Sequence, residues 1–93
     1  MIKSFRDADT ELLWNTGKSR RVPASLRKVA SRKLAWWDSA SNFDQLRIPP
    51  ANHLEALTGN RKGQFSIRIN DQFRLCFLWQ GNNAHDVEIV DYH

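Results

Sequence analysis

The spacing of apolar residues changes once along the chain, from a helical period to a strand period, and divides it into two halves. Residues 2–6 read as a short first strand. From Asp7 to Asn15 an acidic start is followed by Leu12, Leu13 and Trp14, which predicts a short helix ended near Gly17. Gly17-Lys18-Ser19-Arg20-Arg21 forms a basic connector. Pro23 opens a second, longer helix, where its missing N–H is harmless in the first turn. Within it Leu26, Val29, Ala30, Leu34 and Trp37 recur at three-and-four spacing and make one buried stripe. Asp38 to Asn52, with Pro49-Pro50, is a connection carrying one helical turn at Phe43 to Leu46.

After that connection the apolar period falls to two. His53 to Leu57 is a short strand, and Gly59-Asn60-Arg61-Lys62-Gly63 a turn. Gln64 to Ile69 and Phe73 to Trp79 are strands on either side of Asn70-Asp71-Gln72. Gly81-Asn82-Asn83 makes another turn and Asp86 to Tyr92 the last strand. The first hairpin has a preferred register. A two-residue loop at Asn70-Asp71 mixes polar with apolar residues on both faces. A three-residue loop pairs Ile69 with Phe73, Ile67 with Leu75 and Phe65 with Phe77 on one face. It leaves Ser66, Arg68, Arg74 and Cys76 on the other face, away from the helices. Arg68 and Arg74 then stand opposite one another, a mildly unfavourable pairing that calls for an anion.

Size and charge narrow the picture further. Ninety-three residues, 41% hydrophobic with four Trp and five Phe, suffice for one domain over 1–93 and leave no room for a second core. The net charge of +4 and a pI near 9.7 favour an anionic partner. No apolar run approaches the roughly 20 residues of a membrane span, and the start lacks the long apolar stretch of a signal peptide. The lone Cys76 sits in an apolar strand pattern, as a buried inert thiol does. These features fit a reducing cytoplasm and no membrane partner.

The chemistry concentrates at the end. Glu88-Ile89-Val90-Asp91-Tyr92-His93 runs as an apolar strand and then presents Asp91, Tyr92 and His93, a costly set to bury and three groups able to move protons. Cleavage inside RNA needs a base for the 2′-OH, cations for the charge growing on the phosphate and an acid for the leaving 5′ oxygen. Arg68 and Arg74 suit the second task and His93 either proton role. Solvated strand arginines tied to neighbouring carboxylates read the same way in sequence. The basic residues Lys18, Arg20, Arg21, Arg27, Lys28, Arg32 and Lys33 fit either a solvated face or a grip on RNA phosphates. No Cys/His spacing suggests zinc and no glycine-rich phosphate loop is present.

Taken together, the run Leu57-Thr58-Gly59-Asn60-Arg61-Lys62-Gly63-Gln64-Phe65-Ser66-Ile67-Arg68, the following Asp71-Gln72-Phe73-Arg74 and the terminal Asp91-Tyr92-His93 carry a family resemblance. The chain resembles the HigB-type toxins of the RelE/ParE superfamily over essentially its whole length. The resemblance implies an α+β fold of the compact microbial-RNase (RelE-like) kind, with N-terminal helices packed on a curved, mainly antiparallel sheet. It implies a toxin–antitoxin module and a ribosome-dependent mRNA endonuclease acting by 2′-OH attack with no metal or cofactor. Its implied partners are a HigA-like antitoxin of the helix-turn-helix type, the 70S ribosome and mRNA. Arg74 matches the arginine facing the scissile phosphate, and Asp91, Tyr92 and His93 the terminal catalytic group. Arg68 and Ser66 fall where relatives often carry lysines.

The chain departs from the pattern at one point. Where several such toxins have His in a His-Pro-Leu-Lys-Gly motif, it reads Glu55-Ala56-Leu57-Thr58-Gly59, with His53 two residues earlier. Our expectation is that Glu55 orients an arginine and the terminal trio carries the proton transfers. Two other functions share this resemblance or this charge: a ParE-like, non-enzymatic inhibitor of DNA gyrase, and a plain basic RNA-binding module. Neither has a use for the terminal trio.

Overall fold

Two helices cover one face of a four-stranded sheet in the computed structural model, which describes residues 1–20, 22–47 and 53–91. Helix α1 (Ala8–Thr16) starts where the Asp7 carboxylate accepts from the Thr10 N–H at 3.0 Å and from the Thr10 hydroxyl at 2.6 Å. It stops at Gly17, whose φ of 76° is the left-handed conformation that ends a helix cheaply only in glycine. Helix α2 (Ala24–Ser39) begins just after Pro23, which stands at the cap rather than inside the first turn. Its predicted stripe is the packing face. Ala30, Leu34 and Trp37 are buried, while Leu26 and Val29 pack against the same core. A 3-10 turn over Phe43–Arg47 then drops Leu46 into that core.

The strands β1 (Glu55–Ala56), β2 (Phe65–Arg68), β3 (Phe73–Gln80) and β4 (Asn83–Asp91) lie in the order β1-β2-β3-β4, all antiparallel. Phe65 pairs with Phe77, Ile67 with Leu75 and Arg68 with Arg74, the register of the three-residue loop. The Ile69 N–H donates to the Phe73 carbonyl at 2.9 Å and closes that loop. The ring of Trp37 meets that of Phe77 edge-on at 4.1 Å, and Phe43 meets Phe65 at 4.8 Å, joining the helical layer to the sheet. Burying each such side chain contributes roughly 1.5–3 kcal/mol.

Four expectations need correction. The turn before β4 is the two-residue Gly81-Asn82, at φ 56° and 61°; Asn83 already pairs with Gln80, so the strand starts three residues before Asp86. Residues 2–6 do not form a full strand. Ile2 and Phe5 make isolated parallel bridges to Ala84 and Val87, interrupted because Asp86, at φ 52°, bulges β4 between them. The strand expected over His53 to Leu57 is confined to Glu55–Ala56, since His53 takes a φ of 49° and turns the chain. The sheet face away from the helices is not simply polar surface: Ser66 and Cys76 are fully buried on it. The expected end of the last strand at Tyr92, and the Pro49-Pro50 connection, lie outside the described residues.

Candidate active site

On the sheet face opposite the helices, the register lines up Glu55, Ser66, Cys76 and Glu88 in one row across four strands. The adjoining row holds Arg68, Arg74 and Val90. Arg74 leans from its own row over Ser66. Its Nε donates to Ser66 Oγ at 3.1 Å, its Nη2 donates to the His53 carbonyl at 2.9 Å, and Glu55 Oε1 lies 3.7 Å from the same nitrogen. The turn at His53 is what aims that carbonyl at the guanidinium. With its side chain only 15% exposed, Arg74 is fixed, half-buried and permanently charged. Such a group can stabilise charge building on a phosphate without first reorganising.

Arg68 is held differently. Its guanidinium pairs with Asp71 in the hairpin loop, an almost fully exposed carboxylate that contributes little stability. The anionic compensation expected for the Arg68–Arg74 pair is therefore supplied by two separate carboxylates, Asp71 and Glu55. Lys33 on α2 stands close enough to feel this end of the sheet. Burial, and secondarily the Arg68 charge, hold its ammonium pKa below the usual lysine value.

A third arginine, which sequence reasoning left in a turn, belongs to this face. Arg61 ends the 3-10 turn Gly59–Arg61, and its Nη1 donates to Gln64 Oε1 at 3.1 Å and to Glu88 Oε1 at 3.0 Å. Arg6 Nε approaches the same carboxylate oxygen at 4.0 Å. Glu88 was readable as an outward residue from its alternation with Val87 and Ile89. Nothing local in the sequence joined it to Arg61.

Asp91 is the described member of the terminal group. It pairs across the sheet with Phe73, accepts from the Gln72 amide at 3.1 Å and shares the parity of the core residues Val87 and Ile89. The register thus sets it on the helix-facing side of the strand end, opposite in parity to Arg74. Tyr92 and His93 lie outside the described residues, as does Arg21. Among the expected RNA contacts, Lys18, Arg20 and Lys28 are exposed. Arg27 is half-buried, with Nε donating to the Val22 carbonyl at 3.1 Å and Nη2 to the Ser19 carbonyl at 2.7 Å, so it fastens the basic connector to α2.

A two-helix layer on a four-stranded antiparallel sheet is the architecture of the RelE-like class of folds. A chain of the YoeB–YefM complex from Staphylococcus aureus superposes with a TM-score of 0.57 at 16% identity, over 100% of this chain and 98% of that one. The family model for the RelE-like toxin of the type II toxin–antitoxin system HigB matches residues 3–93, and the chain belongs to that family. Toxin HigB-1 of Vibrio cholerae serotype O1 is 42% identical over 80 residues, 85% of this chain and 84% of the relative. Endoribonuclease HigB of Proteus vulgaris is 30% identical over 93 residues, the full length of both. Membership makes this chain the toxin half of a toxin–antitoxin pair. No helix among the described residues is long and apolar enough to cross a membrane.

Proposed function

We propose that the chain is an endoribonuclease that cuts mRNA in the ribosomal A site, in the cytoplasm, and is restrained by a HigA-like antitoxin of the helix-turn-helix type. The observation that carries this reading is Arg74, clamped by Ser66, the His53 carbonyl and Glu55 on the sheet face opposite the helices. The name of the full-length relative, Endoribonuclease HigB, supports the same activity.

In this mechanism the message lies across the outer face of β2 and β3. The 2′-oxygen attacks the adjacent phosphorus and the bond to the 5′ oxygen breaks, leaving a cyclic phosphate and a free 5′-hydroxyl. Arg74 takes up the charge that grows on the non-bridging oxygens and Arg68 positions the strand; Ser66, expected to bind substrate, is buried beneath Arg74 and acts by holding its guanidinium. Permanent guanidinium charge fills the role of a cation, so no metal is invoked. The proton transfers fall to Tyr92 and His93 of the terminal group, while Asp91, on the other side of the strand from Arg74, positions the strand end and Glu55 holds Arg74 in place. Lys18, Arg20, Arg21, Arg27 and Lys28 engage ribosomal RNA phosphates while the A site orients the substrate.

The test compares purified protein on programmed ribosomes with the same message free in solution, at matched salt, mapping new 5′ ends. Cleavage confined to ribosome-bound message, and reduced at least a hundredfold in a folded His93→Ala protein, is the expected result. Equal cutting of free message removes the ribosome from the reaction. Absence of cleavage together with loss of gyrase supercoiling activity replaces this reading with the ParE-like one.

A further inference from the structure

We infer that Arg61 is a second RNA-phosphate contact of this site, kept in position by Glu88 until the message arrives. The inference rests on the RNA-cleavage reading above and adds to it a residue, a direction for the bound strand and a role for a half-buried carboxylate.

Three observations carry it. Arg61 and Arg74 reach the same sheet face from different elements, Arg74 lying over Ser66 on β2 and Arg61 on Glu88 of β4. Ser66 and Glu88 both pair with Cys76, from either side, so the two guanidinium anchors are two strand spacings apart, about 10 Å. Between them lies Cys76, a buried thiol that offers no charge to repel an anion. An RNA strand crossing β2, β3 and β4 at right angles therefore meets one arginine and then another. The second observation is the state of Glu88. Its side chain is 12% exposed, yet it serves Arg61 at 3.0 Å and Arg6 at 4.0 Å with one oxygen. Burying a carboxylate in this way is costly and gives little net stability over an apolar pair. Its cations, by contrast, stay accessible: Arg61 is 31% exposed and Arg6 55%. The third is the loop itself. Gly59 and Gly63, at φ 64° and 94°, bend the segment between β1 and β2 so that Arg61 folds over the sheet to a partner 27 residues later. The carboxylate thus occupies the position an incoming phosphate would take, and holds the fork in a geometry suited to either anion.

Salt dependence separates a phosphate contact from a loop fastener. The measurement is equilibrium binding of the purified protein to ribosomes programmed with a message whose A-site nucleotides carry 2′-O-methyl groups and resist cleavage. A single-strand phosphate contact changes the slope of log K against log salt by about 0.7. Arg61→Ala should make the slope shallower by about that amount and weaken binding several-fold. Arg61→Lys should restore the slope, because charge alone releases the counterion. Glu88→Gln keeps an acceptor for Arg61 and removes the competing charge, so it should tighten binding several-fold. An unchanged slope for a folded Arg61→Ala protein, with only its thermal midpoint lowered, makes the pair a structural fastener and overturns the inference. Arg74→Ala is the internal reference. If its slope shifts and that of Arg61→Ala does not, the inference alone falls. If the wild-type protein binds the message with no salt dependence, the RNA-cleavage reading falls with it.

Discussion

Arg74 and Arg68 are neighbours across a hairpin with unequal prospects. Arg74 has a hydroxyl, a carbonyl and a carboxylate around its guanidinium, whereas Arg68 has an exposed loop carboxylate. Arg74→Ala should therefore cost about a hundred- to thousandfold in single-turnover cleavage on ribosomes, the range seen when one fixed charge-stabilising donor is removed. Arg68→Ala should cost clearly less. Arg74→Lys should recover only part, because an ammonium cannot reach Ser66, His53 and substrate at once. Survival of cleavage within a few fold in Arg74→Ala ends the role given to it. Glu55 lies 3.7 Å from Arg74 with its side chain 56% exposed, the placement of a residue that steers a guanidinium. Glu55→Gln should lower activity modestly and His53→Ala hardly at all, since His53 acts through its backbone carbonyl. A thousandfold loss in Glu55→Gln would instead make Glu55 the general base.

Among the elements, β4 is last in the strand order and yet not an open edge. Its outer groups are taken by the segment 1–6, with Lys3 N–H on the Ala84 carbonyl at 2.8 Å and Arg6 N–H on that of Val87 at 3.0 Å. Thr10 completes the cover. Its buried hydroxyl donates to Asp7 and accepts from the Ile89 N–H at 3.1 Å, tying the start of α1 to the strand that leads into the terminal group. Thr10→Val keeps the shape but leaves that N–H unpaired, and should destabilise the fold by about 1–3 kcal/mol in denaturant unfolding. A change within a few tenths would mean that the bond contributes nothing. The same elements mark how far the sequence could be read. Alternation of Phe65, Ile67 and Ile69 against Phe73, Leu75 and Phe77 was enough to set the hairpin register, because a slip of one residue would expose every apolar side chain. Alternation in Val87, Ile89 and Asp91 also carried the news that Asp91 shares the core parity, a signal the terminal trio taken as a unit obscured. The left-handed His53, the Asp86 bulge and the Arg61–Glu88 pair had no such pattern behind them. Each is set by where distant segments meet.

At the scale of the molecule, fourteen Lys+Arg against ten Asp+Glu leave an excess of positive charge that folding brings together. Lys33 reports on it. Because its folded pKa lies below 10.5 through burial and the charge of Arg68, the unfolded chain binds this proton more readily. Stability should rise with pH across the window from the lowered value up to 10.5, and this unfavourable contribution is fully present below that window. Lys33→Met should accordingly raise stability near neutral pH, with a gain that shrinks across that window and is gone above 10.5, as measured by urea unfolding at several pH values. A gain independent of pH would point to packing rather than charge.

The place of β4 also sets an order of events during synthesis. Residues 1–6 have their backbone partners at Ala84 and Val87, made long after them. Thr10 waits for Ile89, and Arg61 for Glu88. Helices α1 and α2 and the β2–β3 hairpin can form locally as they emerge, but the sheet cannot close around the core until β4 has cleared the exit tunnel. The Arg61–Glu88 pair, and with it the β4 side of the outer face, therefore comes into being only once β4 has docked.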